Sequence, residues 1–143
     1  MRHLLKFLLL AGIFASPLAA QSRDDSLAIR AVAEDYLVSW YDGDAARMEG
    51  ALHPDLAKRN ISTMDNGRSR FSHMGAMAMV QATRRRAATP QPQDKRLLEI
   101  SILAIHHDIA SVKIVSQDFV DLVSVAKSDG RWLIVNDLWR SRQ

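Results

Sequence analysis

The chain contains no cysteine, which rules out disulfides, thiol nucleophiles and cysteine-held metals and leaves stability to packing alone. It also lacks a long apolar run. The longest, Phe7 to Ala15, is far shorter than the roughly 20 residues a spanning helix requires. Nor is there a surplus of one charge. The formal net charge of +3 falls to +1 once Arg2 and Lys6, both in the leader described below, are set aside. A near-neutral chain gives no electrostatic reason to expect nucleic acid as a partner. No His-x-x-x-His pair or His/Cys cluster is present, and His106-His107-Asp108 is most simply a turn, so neither metal nor cofactor is expected. There is no internal repeat.

What is present begins with a leader. Arg2 and Lys6 form a basic start, Leu8 to Phe14 an apolar stretch, and Pro17-Leu18-Ala19-Ala20 a small-residue exit. Residues 1–20 therefore read as a signal peptide, cleaved after Ala20, and residues 21–143 as one exported domain, periplasmic or secreted, with no stable membrane insertion. About 120 residues suit a single core.

From Asp25 the pattern is helical. Ile29, Val32, Ala33, Tyr36, Leu37 and Trp40 form one apolar face, with Asp24, Asp25 and Ser26 as candidate caps and Gly43 as the stop. Asp44 can cap a short second helix through Ala45, Met48 and Leu52, which must end near His53 because Pro54 disfavours helix before it. Leu56 to Ile61 can be a short strand, followed by the turn Asp65-Asn66-Gly67. Ser72 is a candidate cap for a third helix bearing Met74, Met77, Ala78 and Val80 and closing on Arg84-Arg85-Arg86, whose charges complement the helix dipole.

After the loop Thr89-Pro90-Gln91-Pro92-Gln93 the period changes to two. Leu97–Ile105, Ala110–Phe119, Val120–Lys127 and Arg131–Trp139 read as a four-stranded antiparallel meander, with Ser128-Asp129-Gly130 as the clearest hairpin. The fold class is α+β.

Four segments carry a resemblance: Tyr36-Leu37-Val38-Ser39-Trp40-Tyr41-Asp42-Gly43-Asp44; Leu52-His53-Pro54-Asp55-Leu56-Ala57-Lys58-Arg59; Ile109-Ala110-Ser111-Val112-Lys113-Ile114; and Gly130-Arg131-Trp132-Leu133-Ile134-Val135-Asn136-Asp137-Leu138-Trp139. In this order they resemble the nuclear transport factor 2-like (SnoaL-like) superfamily, in the branch called putative lumazine-binding. The resemblance implies a cystatin-like cone, with N-terminal helices packed on a curved antiparallel sheet around an apolar cavity. It does not imply a reaction, because the superfamily hosts isomerases, dehydratases, cyclases and transport adaptors alike.

On that fold Tyr36 and Trp40, one turn apart, are placed for a planar ligand, or are simply core aromatics. His53 can act as acid or base at the cavity mouth, or can satisfy the end of the second helix. Arg59 can bind an anion or pair with Asp55. Asp118, Asp121 and Asp137 lie in apolar strands, where burial would make a general base, although strand aspartates near turns are mostly solvated. Alternation groups Asp137 with Leu133, Val135 and Trp139, and Asp118 falls at a strand end. Asn60-Ile61-Ser62 matches a glycosylation acceptor by pattern alone.

Three functions follow: a domain binding a small, partly aromatic ligand between Tyr36, Trp40, His53, Arg59 and Trp139; a cofactor-free isomerase or lyase using Tyr36 with Asp137 or His53; or an interaction module with a filled core. A pocket of a few hundred cubic ångströms with inward polar groups separates the first two from the third. Both faces of Val120 to Val125 are largely apolar, with Asp121 and Lys113 interrupting, which favours a homodimer through the sheet.

Overall fold

A computed structural model describes the backbone of residues 17–142 and the side chains of residues 23–142. Residues 1–16 of the leader lie outside the described residues. Helix α1 spans Pro17–Asp42 and so reaches upstream of Asp25, the start expected from periodicity. Asp25 is consequently not a cap. Its carboxylate accepts hydrogen bonds from Lys127 Nζ at 2.8 Å and Trp132 Nε1 at 3.0 Å, which fastens the helix to the sheet and holds the carboxyl below its ordinary pKa.

The expected apolar face is the one that packs: Ile29, Val32, Ala33, Tyr36 and Leu37 are buried, and Trp40 is half-buried. Gly43 ends the helix at φ +72°, and a Cβ there would lie 2.2 Å from the Ala87 nitrogen. Only glycine fits. Asp44 then caps α2 (Ala45–Ala51) by accepting the Arg47 N–H at 3.0 Å.

The chain passes directly from α2 into β1 (Leu52–Thr63), turns through Gly67 at φ +79°, and returns as β2 (Ser69–Met74). Strand β2 corrects the sequence reading, which placed a helix cap at Ser72. The third helix, α3, runs from Ala76 to Arg86 with Gly75 at its N-cap. The strand escaped notice because residues 69–73 are all exposed, so no buried side chains alternate along it. Cross-strand pairing to β1 alone, from Lys58↔Met74 to Thr63↔Ser69, defines it.

The meander is present as β3 (Glu99–His106), β4 (Ile109–Val115), β5 (Phe119–Ser128) and β6 (Arg131–Ser141). One boundary differs. Ser116 Oγ accepts the N–H groups of Phe119 at 2.9 Å and Asp118 at 3.3 Å, closing a turn that transfers Phe119 from β4 to β5. His107 and Asp108 form the expected turn, with His107 at φ 52°.

The six strands lie in the order β2-β1-β6-β5-β4-β3, antiparallel throughout except for the parallel pair β1–β6. The helices bury one sheet face, where Val112, Ile114, Val123, Val125 and Ile134 meet Ile29, Tyr36, Leu37 and Met48. Register shifts interrupt three of the five pairs of neighbouring strands, and that between β5 and β6 decides the site. Partners run Val125↔Ile134 and Ser124↔Asn136, leaving Val135 as the extra residue. The bulge resets the alternation. Asp137 therefore shares the inner face with Ile134 and Trp139, rather than with Leu133 and Val135 as strict alternation suggests.

Candidate functional site

Strand β1 directs Leu56 and Lys58 into the core and Arg59 outward. A buried lysine requires compensation, because an uncompensated ammonium in the interior is strongly unfavourable. Two neighbouring strands supply it. Asp137 of β6 is the register partner of Lys58, and Asp121 of β5 is the register partner of Trp139. Lys58 Nζ donates to Asp121 Oδ1 at 2.9 Å, to Asp137 Oδ2, and to the Tyr36 hydroxyl of α1 at 2.7 Å. The Tyr36 hydroxyl in turn donates to Asp137 Oδ2 at 3.0 Å. All three ammonium protons are thereby used.

The cluster sets two carboxyl groups against one cation. Asp121 Oδ2 and Asp137 Oδ1 are buried without a hydrogen-bond partner. Burial pushes the Asp121 carboxyl up to about 7; the Lys58 charge opposes this and the Asp137 charge adds to it. Burial also lifts the Tyr36 phenol well above its usual range, reinforced by both carboxylates. Asp121 thus holds its proton to higher pH than an ordinary carboxyl group, chiefly because it is buried.

Over Lys58 and Tyr36 lies a cavity of about 80 Å³, walled by Trp40, Phe119 and Trp139 and closed by Met74, Met79 and Ala82. Phe119 stands edge-on to both indoles, with centroids 6.2 Å from Trp40 and 5.7 Å from Trp139. Lys58 Nζ lies 5.0 Å from the Trp139 ring centroid and 5.4 Å from that of Tyr36. These are cation–π distances. Arg86, last of the three arginines ending α3, covers Trp40 at 4.5 Å and donates from Nε to its carbonyl at 3.1 Å. The cavity is smaller than the few hundred cubic ångströms expected, and holds the volume of two or three waters, at about 30 Å³ each.

Of the residues singled out from sequence, Tyr36, Trp40 and Trp139 meet at this cavity, and Asp137 stands in the cluster beneath it. His53 and Arg59 are not among its lining residues. His53 is the second residue of β1 and accepts the Asp55 N–H on Nδ1 at 3.1 Å. That is a local turn contact, in place of a bond to the end of α2. Arg59 faces outward into an open groove of about 630 Å³ beside Phe71 and His73, and does not pair with Asp55. Asp118 is exposed in its turn, as expected, whereas Asp121 is fully buried rather than solvated on the outer face. Among the described residues no group of three His, Asp or Glu side chains is arranged to hold a metal ion.

Sequence reasoning missed Lys58. Its signal was available: in Leu56-x-Lys58 a cation falls on the inward side of a strand, while the apolar strands β5 and β6 each carry an aspartate in need of one.

The fold finds its counterparts among known proteins. Similar solved structures include a nuclear transport factor 2-like protein of unknown function from Silicibacter pomeroyi, with 19% identity, TM-score 0.68, and 85% of this chain and 98% of that chain covered. A protein from Novosphingobium aromaticivorans described as nuclear transport factor 2-like with a cystatin-like fold gives 15%, 0.64, 92% and 92%. A ketosteroid isomerase-like protein from Erwinia carotovora gives 14%, 0.59, 82% and 95%. At these identities the likeness concerns the fold. No curated protein matches the chain significantly. The sequence pattern of one family does match, over residues 24–140, which includes α1 from Asp24 onward and all six strands almost to the end of β6. With its helices packed on one face of the sheet, as in solved structures described as nuclear transport factor 2-like, the chain belongs to the family described as Putative lumazine-binding.

Proposed function

We propose that the protein is an exported binding domain whose cavity over Lys58 receives a small, flat, partly aromatic molecule. The observation that carries this reading is the combination of three aromatic walls with a buried ammonium at the base. Such a surface attracts the face of a planar ring by dispersion and by its charge. The name of the family, which speaks of a small-molecule ligand, supports the same class. At about 80 Å³ the cavity suits one ring, or one edge of a larger ligand, with the flexible Met74 and Met79 side chains able to give way.

Native mass spectrometry of protein purified from its own host tests the proposal. The expected result is a retained small molecule in the wild type that is absent from Ala82→Phe, which fills the cavity from α3. An Ala82→Phe variant that retains the same molecule would contradict it.

A second reading, proton transfer, is favoured by one observation. Asp121, with its carboxyl raised to about 7 by burial, shares Lys58 with Tyr36 and Asp137. In this reading Tyr36, which lines the cavity, passes a proton between ligand and carboxylates. His53 lies outside the site and has no part. Conversion of the retained molecule by wild type, lost in Tyr36→Phe, would support catalysis; tight binding without conversion would exclude it.

A homodimer through the outer sheet face completes the proposal. Phe71, Leu122 and Leu138 are exposed there, on strands β2, β5 and β6. Light scattering should show a mass that falls on dilution or in Leu122→Lys/Leu138→Lys. A monomer at every concentration would contradict the dimer.

A further inference from the structure

We propose that the open groove at the β1–β2 hairpin is a second binding site, and that its ligand is a monocarboxylate with an apolar body, held by Arg59 and His73 at the charged end and by Phe71 along the body. The groove measures about 630 Å³ and shares only Met74 with the lining of the cavity over Lys58. The inference therefore does not rest on that cavity receiving a ligand.

Strand register brings the three side chains together. Arg59 and His73 are partners across the antiparallel pair, as are Ile61 and Phe71. Partners project to the same face of a sheet, and so do residues two apart on one strand. Arg59, His73 and Phe71 therefore share the face opposite to that of Lys58. His73 stands directly across from Arg59 and Phe71 on the diagonal, separations of about 5 Å and about 7–8 Å that long side chains span. All three are exposed, Phe71 by 65%.

None of them has a partner of its own. The side chains of Arg59, His73 and Phe71 make no hydrogen bond, ion pair or ring contact among the described residues. Arginines that stand beside an acid use it elsewhere in the molecule: Arg47 pairs with Asp35 and Arg96 with Asp42, each at 2.7 Å. The acid nearest to Arg59 in sequence, Asp55, lies against His53 at 3.9 Å instead. The groove is lined by no Asp or Glu, so its charge is of one sign and finds its complement only in a ligand. A guanidinium fork fits a carboxylate through two parallel N–H bonds, and an imidazole N–H from across the ladder can supply a third. The remainder of the lining is largely apolar, with Leu56, Ala57 and Met74 beside Phe71. A ligand with an apolar body removes that surface from water. A small polar anion would leave it wet, and an uncharged molecule would forgo Arg59.

Three probes test this by isothermal titration calorimetry of the intact protein: octanoate, its uncharged counterpart octanamide, and acetate, which lacks the chain. Octanoate should bind about tenfold more tightly than either of the others, the scale of charge-assisted hydrogen bonds. Arg59→Gln should bring octanoate down to the level of octanamide and leave octanamide within about twofold. His73→Ala should weaken octanoate alone, by less. Phe71→Ser should weaken octanoate and octanamide by a similar factor, and Ala82→Phe, which fills the other cavity, should change neither. Octanamide binding as tightly as octanoate, or octanoate binding that Arg59→Gln leaves unchanged, would overturn the inference. So would acetate binding as tightly as octanoate, the mark of an adventitious ion only. Octanoate binding lost in Ala82→Phe and kept in Arg59→Gln would overturn this inference and leave the cavity over Lys58 as the binding site. No octanoate binding at all overturns it as well, and a mass that falls in Arg59→Gln by light scattering would then identify a second copy as the occupant of the groove.

Discussion

Lys58 and Asp137 are register partners across the parallel pair β1–β6, and the ammonium of one donates directly to the carboxylate of the other. Asp121, one strand further, shares the same nitrogen at 2.9 Å. The contact ties the hairpin β1–β2 to the meander through charge as well as through the sheet, and Tyr36 extends the tie to α1.

Removing the cation should therefore be costly. Lys58→Met leaves two buried carboxyl groups without their partner, and is expected to destabilise the fold by about 3–5 kcal/mol at pH 8, with a smaller loss at pH 5 where the carboxyls can take up protons. Urea unfolding at both pH values checks this. A loss that is equal at the two would show that the cluster is not the cause.

The wild-type stability should carry the signature of Asp121. Its folded pKa of about 7 lies above the ordinary aspartate value of 3.8, so the folded state binds the proton more tightly than the unfolded chain. The stability linked to this group is fully present below about pH 4, falls as the pH rises towards 7, and levels off above it, a change on the order of 2–4 kcal/mol. Asp121→Asn cannot titrate there. Its unfolding free energy, measured from pH 4 to pH 8, should lack that decline relative to wild type, and parallel profiles would refute the assignment.

Two glycines with the same backbone sign should behave differently. Gly43 has φ +72° and the Ala87 backbone within 2.2 Å of the missing Cβ, whereas Gly67 has φ +79° and nothing within 4 Å. Gly43→Ala should cost about 2–4 kcal/mol, strain and clash together, and Gly67→Ala about 1 kcal/mol. Thermal or urea melts that rank them the other way would contradict the close packing of the α1–α2 corner on Ala87.

The legible parts of this molecule were those whose physics is local. The apolar face from Ile29 to Trp40, the stop at Gly43, the Asp44 cap and the period-two strands after Pro92 all follow from spacing and residue type, and each is present. Strand β2 was not legible, because Arg70, Phe71, Ser72 and His73 are exposed and depend on β1 for their conformation. Neither was the inward turn of Asp137, since the bulge at Val135 exists only in the pairing of β5 with β6. Lys58 stands between these cases. Its alternation with Leu56 was visible, but its partners lie 63 and 79 residues away and came together only through the sheet order. His53 and Arg59 were drawn towards the site by the resemblance of the segment from His53 to Arg59, and strand geometry turns them elsewhere.

The central claim, that the space over Lys58 receives a ligand, is tested most directly by methyl NMR of the methionines. Met74 and Met79 line the cavity, while Met64 and Met77 are exposed outside it. Titration with benzene should shift the Met74 and Met79 methyl resonances to saturation and leave those of Met64 and Met77 unmoved. Shifts spread evenly over all four, or absent from the first two, would show that the interior is a closed core.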